Sequence, residues 1–334
     1  MNSAKGQNGK WMAVLAVAVV ASAVVSFTVG YMLAPEAEPE TQEYDYAKSV
    51  IVTDEWGDVI SITMEDDYNR TVVLDGFAER IVSVAPTPTE ILFAVGAGDQ
   101  VVGVDDYSDY PEETLSLTKV GDYTLNLETI ASLQPDLIVG GDLVPLAQLE
   151  QLESQGIPYV LLADRTLEDV LKTVRLAGVI TGHVAEADEV ADALSERIDA
   201  VKAKTLDPSV VKPRVYIEYD EFMGLWTYGP GSFGDDLITA AGGVNIAHNT
   251  SSEYPMVESE FVIAQNPEVI VYTTGPWSTL TEDTYIDRPG WDVIDAVIDG
   301  NIHGMDANLI SRYGPRIVDC LELLAEIIHP ELYP

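Results

Sequence analysis

Glu128-Thr129-Ile130-Ala131-Ser132-Leu133-Gln134-Pro135-Asp136-Leu137-Ile138-Val139 is answered later in the chain by Glu260-Phe261-Val262-Ile263-Ala264-Gln265-Asn266-Pro267-Glu268-Val269-Ile270-Val271. Each copy sets a glutamate seven positions ahead of a proline, then an acidic residue and a short apolar run. Proline cannot continue a helix, and a short Leu/Ile/Val run reads as a buried strand, so each copy predicts helix, stop and strand. The echo extends outward. Leu92-Phe93-Ala94-Val95-Gly96-Ala97-Gly98 is matched by Leu237-Ile238-Thr239-Ala240-Ala241-Gly242-Gly243, and the strand at Ile81-Val82-Ser83-Val84 by Val215-Tyr216-Ile217. Any pair of α/β units shares some helix-proline-strand likeness, but a set of elements recurring in the same order predicts two lobes of one architecture. Strands and helices alternate from Arg80 onward, so the expected fold class is α/β, with a parallel sheet in each of two lobes.

Between the halves, Val184, Ala187, Ala191, Leu194, Ile198 and Val201 recur at helical spacing, with Glu, Asp and Lys on the other face. This predicts a single long bridging α-helix over 183–206, with lobe 1 at 49–182 and lobe 2 at 207–334. Ahead of lobe 1, Val50-Ile51-Val52-Thr53 and Val59-Ile60-Ser61-Ile62 flank a Gly57-containing turn, a β-hairpin signal. The stretch Ala85-Pro86-Thr87-Pro88-Thr89-Glu90 carries threonines and a glutamate suited to a helix start.

The chain has 334 residues, too many for one ordinary core, and carries 56 acidic against 17 basic residues for a formal charge of -39. Such a surface argues against nucleic acid or anionic lipid as a partner and favours a soluble monomer. The four histidines are scattered and the single cysteine, Cys320, sits in an apolar helical run, which excludes a disulfide and a Cys-based zinc site.

Trp11 to Ala34 is uncharged and apolar, long enough to span a hydrocarbon core of about 30 Å. Lys5 and Lys10 precede it and Glu36, Glu38, Glu40 and Glu43 follow, which places the amino terminus inside and the bulk of the chain outside. The expectation is a cytoplasmic tail and single-pass transmembrane anchor over 1–34, then an acidic tether over 35–48. The competing reading, a cleaved signal peptide, meets an apolar run longer than the usual ~7–15 residues and the poor cleavage site Met32-Leu33-Ala34. No cysteine follows the span, so none is available for lipid attachment there.

Taken together, Arg80-Ile-Val-Ser-Val-Ala-Pro-Thr-Pro-Thr-Glu90, Val104-Asp-Asp-Tyr-Ser-Asp-Tyr-Pro111, Asn126-Leu-Glu128 with Pro135-Asp-Leu-Ile-Val139, and Gly242-Gly-Val-Asn245 resemble the cobalamin, ferric-siderophore and haem type of ABC-importer substrate-binding protein. The resemblance runs from about Thr53 to the carboxyl terminus. It implies two Rossmann-like lobes joined by a bridging helix, a ligand cleft between them, and delivery to a permease dimer driven by a cytoplasmic ATPase. It also implies that the ligand-binding positions are Tyr107, Tyr123, Tyr219, Trp226 and Tyr254, with Arg312 opening the last cleft segment, and that Glu128 and Glu260 dock on permease arginines. Taken alone, each glutamate is also an ordinary first-turn residue, with Asn126 and Ser259 as plausible helix caps. The family's lobe 1 aromatic after the Pro-Asp strand is missing, replaced by Gly140-Gly141-Asp142.

No phosphate-binding Gly-rich loop, Gly-x-Ser-x-Gly elbow or His-Glu-x-x-His is present, so an enzyme is not expected. The ligand implied is a corrinoid or a ferric siderophore, with no cofactor of the protein's own. Aromatic walls and the scarcity of positive charge favour the corrinoid. The other function weighed is an adhesion or sensor module on a membrane stalk.

Overall fold

The computed structural model describes residues 40–334 except 45–47, 142, 163–164, 221–223 and 277. The expected membrane span lies outside those residues. Among the described residues no helix is long and apolar enough to cross a membrane.

A parallel sheet forms the centre of lobe 1, with strands β5 (Ile81–Ser83), β6 (Val101–Val104), β7 (Thr118–Lys119), β8 (Leu137–Gly140) and β9 (Tyr159–Leu161) in the order β7-β6-β5-β8-β9. Lobe 2 repeats the theme. Its strands are β10 (Arg214–Asp220), β11 (Leu225–Thr227), β12 (Val244–Asn245), β13 (Met256–Val257), β14 (Val269–Thr274) and β15 (Ile302–Asp306), in the order β13-β11-β10-β14-β15 with β12 paired to β10. Here β12, β10, β14 and β15 run parallel, while β11 and β13 form an antiparallel edge.

The repeated motif is used identically in both sheets. Ile81 pairs with Leu137 and Val215 with Val269, so each Pro-acid strand lies against the first strand of its lobe. Asp136 accepts the Arg80 N–H at 3.0 Å, and Arg80 Nε donates to the Gln134 carbonyl at 3.1 Å. Glu268 accepts the Arg214 N–H at 2.9 Å, and Arg214 Nε donates to the Asn266 carbonyl at 2.8 Å. The chain turns through left-handed Gln134 (φ 50°) and Asn266 (φ 49°) at matching places. An arginine at the start of each leading strand, Arg80 just before β5 and Arg214 as the first residue of β10, therefore fastens the turn that feeds its neighbour, which fixes the register.

Helices α1 (Pro86–Ala94), α2 (Leu127–Ser132), α3 (Leu146–Glu153) and α4 (Leu167–Thr181) belong to lobe 1. The amphipathic stretch expected to bridge the lobes is α5 (Val184–Thr205), and its apolar positions Ala187, Ala191, Leu194, Ile198 and Val201 are all buried. Lobe 2 carries α6 (Phe233–Ala240), α7 (Ser259–Gln265), α8 (Glu282–Ile286), α9 (Asp295–Ile298), α10 (Ala307–Ser311) and α11 (Ile317–Ile328). Arg197 of α5 holds Asp319 and Glu322 of α11 at 2.5 and 2.7 Å. One continuous apolar cluster runs from β5 and α1 through α4 and α5 into β10, α6 and α11, so the lobes share a core along their back. Cys320 is part of it, its thiol pushed up to about 12 by burial and hence unreactive.

The amino-terminal region differs from expectation. The hairpin is present as β2 (Ser49–Thr53) and β3 (Val59–Glu65), but it sits in a four-stranded antiparallel sheet between β1 (Glu40–Tyr44) and β4 (Thr71–Leu74). Residues 40–44, read as tether from their polar composition, pair along β2 from Glu40↔Thr53 to Tyr44↔Ser49. Backbone hydrogen bonds to an existing edge need no apolar side chains, so composition alone misses such a strand.

Gly242 shows why the Gly242-Gly-Val-Asn245 motif takes that form. Its φ is +84°, and a Cβ there would lie 2.7 Å from His329 Nε2 and 2.8 Å from the Thr205 carbonyl. Gly242→Ala is expected to cost well over ~1 kcal/mol, whereas Gly300→Ala, with φ +68° but open space, costs only about the left-handed penalty of ~1–2 kcal/mol. Denaturant unfolding of the pair checks this; equal losses contradict it.

Candidate functional site

A cleft of about 950 Å³ opens between the lobes at the carboxyl ends of the parallel strands, where open α/β sheets place ligands. Lobe 1 contributes Ala85 to Thr87 after β5, Asp105 and Tyr107 after β6, and Gly141 after β8. Lobe 2 contributes Tyr219 from the end of β10 and the segment after β15 that includes Asn308, Arg312 and Tyr313.

Of the residues singled out from sequence, the fold brings Tyr107, Tyr123, Tyr219, Tyr254 and Arg312 onto this wall. Tyr107 and Tyr123 meet at 5.9 Å between ring centroids on the lobe 1 side. Opposite them, Tyr219 packs against Tyr228 at 4.9 Å and against Tyr254 at 6.3 Å. Trp226 is the exception. It lies on β11, where successive side chains point to opposite faces: Leu225 packs into the outer lobe 2 core and Thr227 donates to the Ile217 carbonyl at 2.6 Å. Its register partners are Met256 and Asp220, and it is not among the cleft residues.

Tyr228, just after β11, was not legible as a cleft residue, because an aromatic that is buried against neighbours reads in sequence like any core residue. Asn245 of the glycine motif holds it, donating to the Tyr228 carbonyl and to Asp235, each at 2.8 Å. Burial, the first cause, and Asp122 raise the Tyr107 hydroxyl. Burial likewise raises Tyr219 to about 12 and holds Tyr228 far above the ordinary phenol range. These rings meet a ligand as neutral phenols. The missing lobe 1 aromatic leaves Gly141 on the wall, with exposed Leu143 in a left-handed conformation beside it.

Arg312 does not lie free for an anionic ligand group. It is buried, with Asp109 at 2.6 Å, Glu90 at 3.4 Å and the Tyr107 carbonyl at 3.2 Å. Arg316 joins it on Glu90, at 2.5 and 2.9 Å, and lies 3.8 Å over the Tyr110 ring. Two lobe 2 arginines thus converge on one buried lobe 1 carboxylate. The sequence reading of Thr89-Glu90 as helix-start chemistry misses this. No side chain caps α1, and Thr89 instead bonds Ala85, Ser83 and Ser108. On another part of the rim, Arg165 pairs with Glu253 at 2.8 Å, again across the lobes. Asp105, also on the wall, has its carboxyl raised by burial and accepts from Ser108 and from the Tyr107 N–H.

Glu128 and Glu260 are exposed and each is the second residue of its helix, α2 or α7. Asn126 caps α2, accepting the Thr129 N–H at 3.0 Å. Ser259 does not cap α7, because Glu258 holds that position and Ser259 accepts from Trp291 Nε1 at 2.5 Å. Trp291 is buried.

The profile of the periplasmic binding proteins matches residues 81–309. The chain belongs to that family. An uncharacterized ABC transporter substrate-binding lipoprotein of Bacillus subtilis is 30% identical over 98% of this chain and 99% of its own. A cobalamin-binding protein of Halobacterium salinarum is 28% identical over 93% of this chain and 83% of its own. Among solved structures, a periplasmic heme-binding protein of Roseiflexus superposes with a TM-score of 0.68, at 29% identity over 76% of this chain and 99% of that one. The family match makes this periplasmic binding protein a substrate-binding component of an ABC transporter and speaks against the stalked adhesion or sensor module.

Glu90→Ala leaves two largely buried guanidiniums short of their shared partner and is expected to destabilise the protein by about 3 kcal/mol. Denaturant unfolding measures it. A loss below ~1 kcal/mol contradicts the reading of Glu90 as the lobe-joining anion.

Proposed function

We propose that this protein captures a corrinoid-type metal chelate outside the cytoplasm and hands it to an ABC permease dimer with a cytoplasmic ATPase. One observation carries the ligand class: neutral tyrosines face each other across the cleft while the two arginines on its wall, Arg165 and Arg312, are already paired with carboxylates. A large chelate with apolar faces and amide edges suits such walls, with phenol hydroxyls serving its polar rim. A strongly anionic ligand would face Asp105, Asp122 and Glu253 with no unengaged cation on the described wall. The relative named for cobalamin supports this reading. The relative named for heme supports a second, an iron macrocycle, although phenols held protonated by burial make a tyrosinate ligand to ferric iron more costly.

On this reading the uncharged stretch 11–34 is the membrane anchor. The sequence has only Cys320, which is buried, so the lipid attachment in the Bacillus relative's name has no cysteine to use here. The protein acts as a monomer, and the shared core and interlobe ion pairs keep the closing motion small.

Full-length protein in detergent, titrated with cyanocobalamin and with haemin by visible absorption, is expected to bind cyanocobalamin saturably. Tyr107→Ala and Tyr254→Ala each weaken it by about tenfold with the fold intact. Unchanged affinity in both, or preference for haemin, overturns the corrinoid assignment.

Exposed Glu128 and Glu260, equivalently placed on the two lobes, are the permease-docking groups. Glu128→Arg combined with Glu260→Arg turns attraction into repulsion at both contacts, so uptake by cells is lost while ligand affinity stays. Normal uptake by the double variant shows them to be ordinary first-turn residues.

A further inference from the structure

The cleft has a wall from outside the family-matched segment 81–309: Tyr68, in the turn between β3 and β4, lines it. That turn is fastened by one carboxylate. Asp66, only 3% exposed, accepts the N–H of Tyr68 at 3.1 Å and of Arg70 at 2.9 Å, closing the turn on itself. The same side chain reaches across to lobe 1, accepting the Leu161 N–H at 3.2 Å, and the Asp67 N–H donates to the Leu161 carbonyl at 3.2 Å.

Arg70 completes the attachment. It binds Asp66 through Nε at 3.0 Å and Nη2 at 2.7 Å, donates to the Tyr159 carbonyl at 2.9 Å, and lies 3.6 Å over the Tyr159 ring. All of these contacts fall on β9, at the strand end from which Leu162 also enters the cleft. A buried charge with this many donors is a rigid mount, because releasing it would leave a carboxylate unsatisfied in the interior. What the mount presents is Tyr68, which keeps 45% of its surface exposed at the cleft while the backbone beneath it is fixed.

We infer that Tyr68 is a ligand-contacting, specificity-determining residue, and that the amino-terminal sheet is part of the binding device. This rests on the proposal that the cleft takes a large macrocyclic chelate. An aromatic ring on a fixed turn at the lobe 1 margin offers apolar area with little ordering cost, and it meets the part of a ligand that extends past the central tyrosines. A compact ligand would not reach it.

The test uses full-length protein in detergent, with cyanocobalamin and haemin as probes and Tyr254→Ala as reference. Tyr68→Ala is expected to weaken binding of the probe the wild type prefers by about tenfold, Tyr68→Phe to keep most of the affinity, and both to melt with the wild type. If Tyr254→Ala weakens binding and Tyr68→Ala does not, the inference falls and the cleft assignment stands. If the wild type binds neither probe, the assignment falls and takes the inference with it.

Discussion

The convergence of Arg312 and Arg316 on Glu90 is the constraint on which the cleft depends. Glu90 belongs to α1 in lobe 1, and both arginines follow α10 in lobe 2. A buried carboxylate holding two guanidiniums is stable only while all three stay together, since separating them leaves charge desolvated and unpaired. The distance between the lobes at this point is therefore set by ion-pair geometry. The tyrosines on either side face each other across a gap whose width is fixed before any ligand arrives, and a preformed site of this kind loses less freedom on binding. The second interlobe pair, Arg165 with Glu253, is half exposed and screened by water and salt, so it contributes little to this rigidity.

Behind the cleft, the lobes are tied differently. There α4, α5 and α11 merge the apolar interiors into one cluster, and α5 acts as a strut. Within each lobe, an arginine at the start of the leading strand and an acid after the proline fix the central pair of strands. Duplication of this arrangement explains why the two halves present similar strand ends to a shared space.

Much of the fold was legible because its signals are local. The Pro135 and Pro267 repeats, the helical period of α5 and the turn at Gly57 each specify an element from neighbouring residues. What escaped was non-local. The strand at Glu40–Tyr44 is defined by a partner's edge rather than by its own side chains. Glu90 looked like helix-start chemistry because its arginines lie more than 200 positions away, as the Arg312 contact spans 222 residues. At the site, the family resemblance put Tyr107 and Tyr219 on a wall that both line, positions that could be carried over from the motifs around them. Trp226 could not, because the face of a three-residue strand depends on a register that only the sheet sets. Tyr68 escaped as well: its turn belongs to another sheet and is held at the cleft by the bonds of Asp66, Asp67 and Arg70 to β9.

A ligand held between the lobes at the strand ends shields those ends from exchange. Hydrogen–deuterium exchange of the full-length protein, with and without cyanocobalamin, reads this out. The expected result is added protection in the segments after β5 and β6, around Tyr123, and at Tyr219 and Tyr254, with the outer helices α3 and α9 unchanged. Protection confined to those outer faces, with none at the strand ends, would contradict it.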